Sequence, residues 1–216
     1  MSAVVPFFSV VIATWNRAGL LRRALDSLLA QSETDWEAWV IDDGGADDTE
    51  AVVEAYRRRS GAFHYVRCEH GGDARAKNVG IARSRGEFIT FLDSDDEYAP
   101  DHLASRRSVL ERGPEIALLH GGVRIVGDPW VPDRDDITRQ VHLSQCVIGG
   151  TFFFRREALR ALGGFLEMPF ASDTDLFDRA VAAGLKVAKT EHPSYIYDRT
   201  QGGSITRALW ESQQQS

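Results

Sequence analysis

Strand and helix signals alternate without a break through the first hundred residues, and few folds accommodate that order. "FFSVVIAT" (residues 7–14) is rich in β-branched and aromatic residues, the mark of a buried strand. "AGLLRRALDSLLAQ" follows, with Leu20, Leu21, Ala24, Leu25, Leu28 and Leu29 on one helical face. "WEAWVIDD" reads as a second strand and "ADDTEAVVEAYRRR" as a second helix with acidic residues in its first turn. "AFHYVRC", "GDARAKNVGIARS" and "EFITFLD" give a third strand, third helix and fourth strand. Such alternation predicts an α/β fold, a parallel sheet with helices on both faces.

In a sheet of that kind ligands collect outside the carboxyl ends of the strands. Three predicted strand ends are polar here: Thr14-Trp15-Asn16-Arg17, Asp42-Asp43-Gly44-Gly45 and Asp93-Ser94-Asp95-Asp96. After Pro100 the pattern changes. "DHLASRRSVLERG" reads as a helix, "EIALLHGGVRIVG" as one strand and "DPWVPDRDD" as a loop. "RQVHLSQCVIGGTFFFR" reads as one or two strands, "REALRAL" and "ASDTDLFDRAVAAG" as helices, and "LKVAKTEHPSYIYDR" as strand-like. No linker separates the halves, so a mixed-sheet second half is expected to continue the first.

The chain has 216 residues, 43% hydrophobic and 26% charged, which suits one domain with a substantial core. Its formal net charge of −7 argues against a nucleic-acid partner, which calls for a basic surface. Cys68 and Cys146 stand far apart, outside any C-x-x-C pair, which argues against a zinc site or disulfide scaffold and suits a reducing compartment. No apolar run approaches the ~20 residues that span a bilayer, and the first residues lack a signal-peptide pattern. A cytoplasmic protein, with membrane contact at most peripheral, is expected. The sequence leaves the oligomeric state open, and the closing "ESQQQS" reads as a frayed polar tail.

The carboxylates in "FLDSDDEY" repel one another and resist desolvation, so something positive belongs beside them. Hard cations such as Mg²⁺ and Mn²⁺ take oxygen ligands, often one or two carboxylates completed by substrate phosphates. The bland alternative is that Asp96 or Asp101 caps the next helix. An EF-hand counted from Asp93 would need Gly at Tyr98 and Glu at Ala104, and fails. A haloacid-dehalogenase-type phosphatase would need its aspartate on the first strand, whereas this cluster ends the fourth.

With those residues in place, the sequence resembles the family 2 glycosyltransferases of the GT-A fold. "SVVIATWNRAGLLRRALDSLLAQ", "WEAWVIDDGGADDT" and "GGDARAKNVGIARSRGEFITFLDSDD" are similar to their opening strand and helix, nucleotide-binding strand end and D-x-D segment. "REALRALGGF" and "SDTDLFDRAVAAG" continue the likeness over nearly the whole chain. The resemblance implies one GT-A domain over residues 1–216: a Rossmann-like nucleotide-sugar half to about residue 100, an acceptor half to about 205, and a tail over 206–216. It implies a nucleotide-sugar donor, UDP-linked in first place, and a divalent metal, Mn²⁺ or Mg²⁺. The acceptor is left open among carbohydrate, lipid-linked, peptide and small-molecule hydroxyls. Its recognition falls to the second half and the loop over residues 129–136, or to a partner.

By position, the resemblance gives Ala13, Thr14 and Asn16 to the nucleoside pocket, Arg17 to the phosphates and Asp43 to the base or ribose. Lys77 and Asn78 match the family's basic-Asn pair, with Arg75 one turn-face away; the bland alternative for them is a solvated helix face. Asp95 would be the direct metal ligand, with Asp93 as its D-x-D partner facing ribose or sugar and Ser94 between them. Inverting transfer needs a carboxylate to take the acceptor's proton, help worth roughly 10²–10⁴-fold. Asp173 takes that position, with Asp175 as second choice and Ser172 where the family commonly has Glu. The same two aspartates could serve only to stabilise a helical first turn. Gly149, Gly150 and Thr151 would form the acceptor side, with Trp130 able to stack on a sugar. Gln201 stands where the family can place a metal-approaching His, and Arg199 and Ser204 are candidates to hold the diphosphate. Two other readings remain open at this point: a nucleotidyl or phosphoryl transferase, and an inactive sugar-nucleotide-binding protein.

Overall fold

The opening run of β-branched residues forms β1 (Phe8–Thr14), buried along its length except at Ala13, as a strand covered on both faces should be. In the computed structural model, which describes residues 5–201, it leads into α1 (Ala18–Leu29), β2 (Trp36–Asp42), α2 (Thr49–Arg59), β3 (Phe63–Arg67), α3 (Asp73–Arg83) and β4 (Phe88–Phe91). The four strands run parallel in the order β3-β2-β1-β4. Successive residues of a strand face opposite ways. Phe8, Val10 and Ile12 enter a core with Leu21 and Leu25 of α1 and Val52 and Val53 of α2. Val11 and Ile41 enter a second core with Ala76 and Ile81 of α3.

The second half supplies β5 (Glu97–Tyr98), α4 (His102–Arg112), β6 (Leu118–His120), β7 (Val123–Val126), β8 (Trp130–Pro132), β9 (Gln140–His142), β10 (Phe153–Arg155), α5 (Arg156–Ala161), α6 (Ser172–Ala182), β11 (Val187–Lys189) and β12 (Tyr195–Asp198). Three of these strands extend the first sheet to seven, in the order β11-β6-β10-β4-β1-β2-β3, with β10 antiparallel to both neighbours. A smaller sheet has the order β5-β12-β7, and β8 pairs with β9 as an antiparallel hairpin. Both halves therefore share one sheet.

Three expectations need correction. "EIALLHGGVRIVG" is two strands in two different sheets, because Gly121 and Gly122 take φ of 90° and 74° and turn the chain between β6 and β7. The fully buried Arg106 fixes that turn, its guanidinium donating to the carbonyls of Gly121 and Gly122 and to the Ser194 hydroxyl. The segment over residues 128–136 is not all loop, since it contains β8. The strand-like segment 185–199 divides into β11 and β12, again in different sheets. Ser204 and the 206–216 tail lie outside the described residues.

The strand order reverses at the β1–β4 neighbour pair, with β2 and β3 to one side of β1 and β4 to the other. Open α/β sheets bind ligands at such a point. The smaller sheet and the β8–β9 hairpin come from the second half and supply one wall of a cavity there.

Candidate functional site

The cavity has a volume of about 880 Å³. Its walls bring together Arg17 after β1, Lys77 on α3, Asp93 and Asp95 after β4, Gly149 and Gly150, Asp173 on α6, and Arg199 and Gln201 after β12.

Asp93 and Asp95 each meet a cation. Lys77 Nζ lies 3.1 Å from Asp93 and 2.9 Å from Asp73, one turn before it on α3. Burial would push the Lys77 ammonium's pKa down, but Asp73 and Asp93 outweigh it and hold it above its ordinary value. Arg17 Nη1 sits 2.9 Å from Asp95 Oδ2. Burial, and then the charge of Asp93, push the Asp95 carboxyl up. Asp96 turns away from the cavity into the interior, where it is fully buried. It accepts from the Tyr195 hydroxyl at 2.6 Å and the Asp198 amide at 2.8 Å, which ties the cluster to β12. Burial and Asp93 push its carboxyl up to about 9. Asp96 thus supports the cluster from behind.

Asp173 enters the cavity from the first turn of α6. Its Oδ2 accepts the Gly149 amide at 3.1 Å and its Oδ1 the Thr174 amide at 2.8 Å. Burial pushes this carboxyl up, with those two amides opposing the shift. The residue before the helix, Ala171, has a φ of 60°, a left-handed conformation that an L side chain resists. Strain of that kind recurs at functional sites.

Several other expected site residues do not reach the cavity. Asp43 is buried, its oxygens accepting the Gly71 and Gly72 amides at 2.9 and 2.8 Å with His70 Nδ1 2.8 Å away, so it shapes the turn into α3. Asn78 spends both ends of its amide on the backbone of Phe165, at 2.8 and 2.9 Å. Asp175 pairs with Arg179 at 2.8 Å, and Arg179 in turn holds the carbonyls of Leu162 and Gly164. Ser94 is buried, and Arg75 is exposed on α3. Ala13 and Thr14 end β1, and the buried Thr14 hydroxyl has no partner among the described residues. Asn16 takes a φ of 53° and accepts the Ala46 amide at 2.7 Å, joining the turns after β1 and β2. Thr151 is buried behind the cavity wall.

Sequence reasoning passed over Trp15 and His70. They stack with ring centroids 4.5 Å apart beside Asp43, and half of the Trp15 surface is exposed. An aromatic residue next to a strand-end Asn was the available signal. Arg199, by contrast, lines the cavity with Nε and Nη1 buried and unpartnered among the described residues. Buried donors left in that state are costly, which points to an acceptor arriving from outside.

Among the described residues no group of three or more His, Cys, Asp or Glu side chains could hold a metal ion. Asp93 and Asp95 offer hard oxygens but only part of a coordination shell. They fit Mg²⁺ or Mn²⁺ when substrate oxygens complete it. No helix among the described residues is long and apolar enough to cross a membrane.

The model of the family described as "Glycosyl transferase family 2" matches residues 9–163. An uncharacterized glycosyltransferase of Rickettsia bellii is 32% identical over 129 residues, 58% of this chain and 18% of that protein. Staphylococcus aureus TarS 1–349, solved in complex with UDP-GlcNAc, superposes with a TM-score of 0.77 at 23% identity, over 92% of this chain and 60% of that one. The mannosyltransferase PcManGT of Pyrobaculum calidifontis, solved with GDP-Man and Mn²⁺, gives a TM-score of 0.76 at 23% identity, over 98% and 62%. The chain thus spans less than a fifth of that relative's length and about three-fifths of each solved chain.

Proposed function

Because the chain belongs to glycosyl transferase family 2 and has the GT-A fold, we propose that it moves a sugar from a nucleoside-diphosphate sugar to an acceptor hydroxyl with inversion. The observation that carries this reading is one cavity lined at once by Arg17, Lys77, Asp93, Asp95 and Asp173. Cations and carboxylates there suit a diphosphate, and a separate, backbone-held carboxylate suits a base. Structures of TarS with UDP-GlcNAc and PcManGT with GDP-Man support the donor class, and UDP-sugars come first on family grounds.

Arg17 and Lys77 bind the diphosphate, releasing part of their hold on Asp95 and Asp93 as they do so. Arg199 offers its two unpartnered N–H groups to the same diphosphate. The exposed face of Trp15 gives the nucleobase a stacking surface. Asp173 takes the proton of the acceptor hydroxyl. The freed oxygen bonds to the anomeric carbon as that carbon's bond to the β-phosphate oxygen breaks, and the nucleoside diphosphate leaves. A pKa raised by burial makes Asp173 a stronger base than a solvated aspartate. Asp93 and Asp95 would hold a divalent cation, Mn²⁺ or Mg²⁺, whose charge would help neutralise the diphosphate leaving group.

Residues up to about 100 serve the donor and those beyond serve mainly the acceptor, with Arg199 reaching back to the diphosphate, within one catalytic unit. The acceptor wall is largely apolar, with Val131, Leu143, Ile148, Met168 and Phe170, and is open to carbohydrate, lipid-linked, peptide or small-molecule acceptors. The test is donor turnover by the whole chain with UDP-glucose, UDP-GlcNAc and GDP-mannose in Mn²⁺, the anomer of the released sugar being read by NMR at early times. An inverted anomer is expected. A retained anomer, or binding and turnover of nucleoside triphosphates alone, contradicts the proposal.

A further inference from the structure

The turn over Gly149–Thr151 lies directly behind Asp173. Its first amide donates to Asp173 Oδ2 at 3.1 Å. The Thr151 hydroxyl closes the turn from within, donating to the Ile148 carbonyl at 2.7 Å. The same hydroxyl accepts the Gly121 amide at 3.1 Å, and the Gly121 carbonyl accepts from buried Arg106 at 2.9 Å. Space around the turn is tight, since a Cβ on Gly149 would come within 2.9 Å of the Asp173 Cβ. A small shift of the turn is therefore passed straight to the carboxylate.

We propose that Thr151, which does not line the cavity, is a positioning residue for the base: its hydroxyl locks the turn whose Gly149 amide aims Asp173 at the acceptor oxygen. This rests on reading Asp173 as the base. It replaces the expectation, drawn from the family resemblance, that Thr151 meets the acceptor itself. The physical basis is that a hydrogen bond to a charged group is directional and worth roughly one to two pKa units when fully made. One amide on each carboxylate oxygen, from Gly149 and from Thr174, leaves the plane of the group little freedom. Lys77 and Asp93 are the other charged groups acting on Asp173, with the Cys146 thiol nearby, and a change at Thr151 removes none of them.

The experiment compares the wild-type chain with Thr151→Val, which keeps shape and deletes the hydroxyl, and Thr151→Ser, which restores it. Two readouts are taken: the NMR titration of the Asp173 side-chain carboxyl carbon, and Mn²⁺-dependent hydrolysis of the best sugar nucleotide with water as acceptor. Weakening the Gly149 bond disfavours the carboxylate, so Thr151→Val should raise the Asp173 midpoint by about one unit. The acid limb of the rate profile should move up with it, and kcat should fall about tenfold with donor KM unchanged. Thr151→Ser should return both readouts to wild type. An unmoved midpoint and kcat in Thr151→Val overturn the proposal, as does a change confined to KM. Should Thr151→Val not fold, Gly149→Ala pushes on Asp173 from the same turn and must move the same two readouts. If the midpoint moves while Asp173→Asn still turns over donor normally, the base reading fails and the positioning contact stands.

Discussion

Replacing Ala171 by glycine should stabilise the protein while loosening Asp173, the proposed base. Ala171 precedes α6, holds a φ of 60°, and its carbonyl accepts the Asp175 amide at 3.1 Å, so the left-handed conformation is built into the helix start. An L residue there costs roughly 1–2 kcal/mol, which glycine escapes. Glycine also frees the unfolded chain, which takes back about 0.4–1 kcal/mol. The balance is a gain of about 0.5–1 kcal/mol, or a rise in Tm of about 1–4 °C for a chain of this size. The denaturation midpoint of Ala171→Gly against wild type measures it, since an unchanged m-value marks a true stability difference. Donor hydrolysis should fall in the same variant, because Asp173 stands two residues into the helix that Ala171 orients. A variant less stable than wild type would show that residue 171 is not left-handed in solution, and the strain argument would go with it.

Metal affinity should depend on nucleotide. With two carboxylates already paired to Arg17 and Lys77, Mn²⁺ alone should bind weakly, and calorimetry should show it tightening at least tenfold once UDP is present; tight binding to the nucleotide-free chain would sink that picture. Asp198 makes a pH prediction. Burial would raise its carboxyl, but the Thr200 hydroxyl and amide and the Arg23 guanidinium prevail and hold it down at about 2. A depressed folded pKa stabilises above the unfolded value and is lost as pH falls through the folded one. Asp198→Asn should therefore be less stable than wild type by about 2 kcal/mol at neutral pH, a gap that closes between about pH 4 and pH 2 in acid-unfolding curves.

The four parallel strands and three helices of the first half were legible because each carries its own helical period or unbroken apolar run, whereas the two-residue β5 carries neither. Leu21, Ala24, Leu25 and Leu28 of α1 are the buried face the helical spacing marks out, and β1 is buried as an unbroken apolar run should be. The break at Gly121–Gly122 was not legible, since hydropathy carries no information on the sign of φ. Nor was the hairpin of β8 and β9, whose strands of three residues are too short for a period to register. Among site residues, Arg17, Lys77, Asp93, Asp95, Asp173 and Arg199 meet in one cavity as the motifs implied. The structural partners of Asp43 and Asn78, the Gly71 amide and the Phe165 backbone, were not legible because they lie 28 and 87 residues away. A motif records that a polar side chain is required. It does not record whether substrate or backbone requires it.

The central claim is that Asp173 is a base acting beside a donor site built by other residues, and Asp173→Asn tests it most directly. Asparagine keeps the shape and can still meet the Gly149 amide through its oxygen, but it cannot accept a proton. The measurement is sugar-nucleotide turnover in Mn²⁺ together with calorimetric affinity for UDP in the same preparation. The account predicts turnover reduced by roughly 10²–10⁴-fold with nucleotide affinity unchanged. Turnover at the wild-type rate, with UDP binding intact, would contradict it.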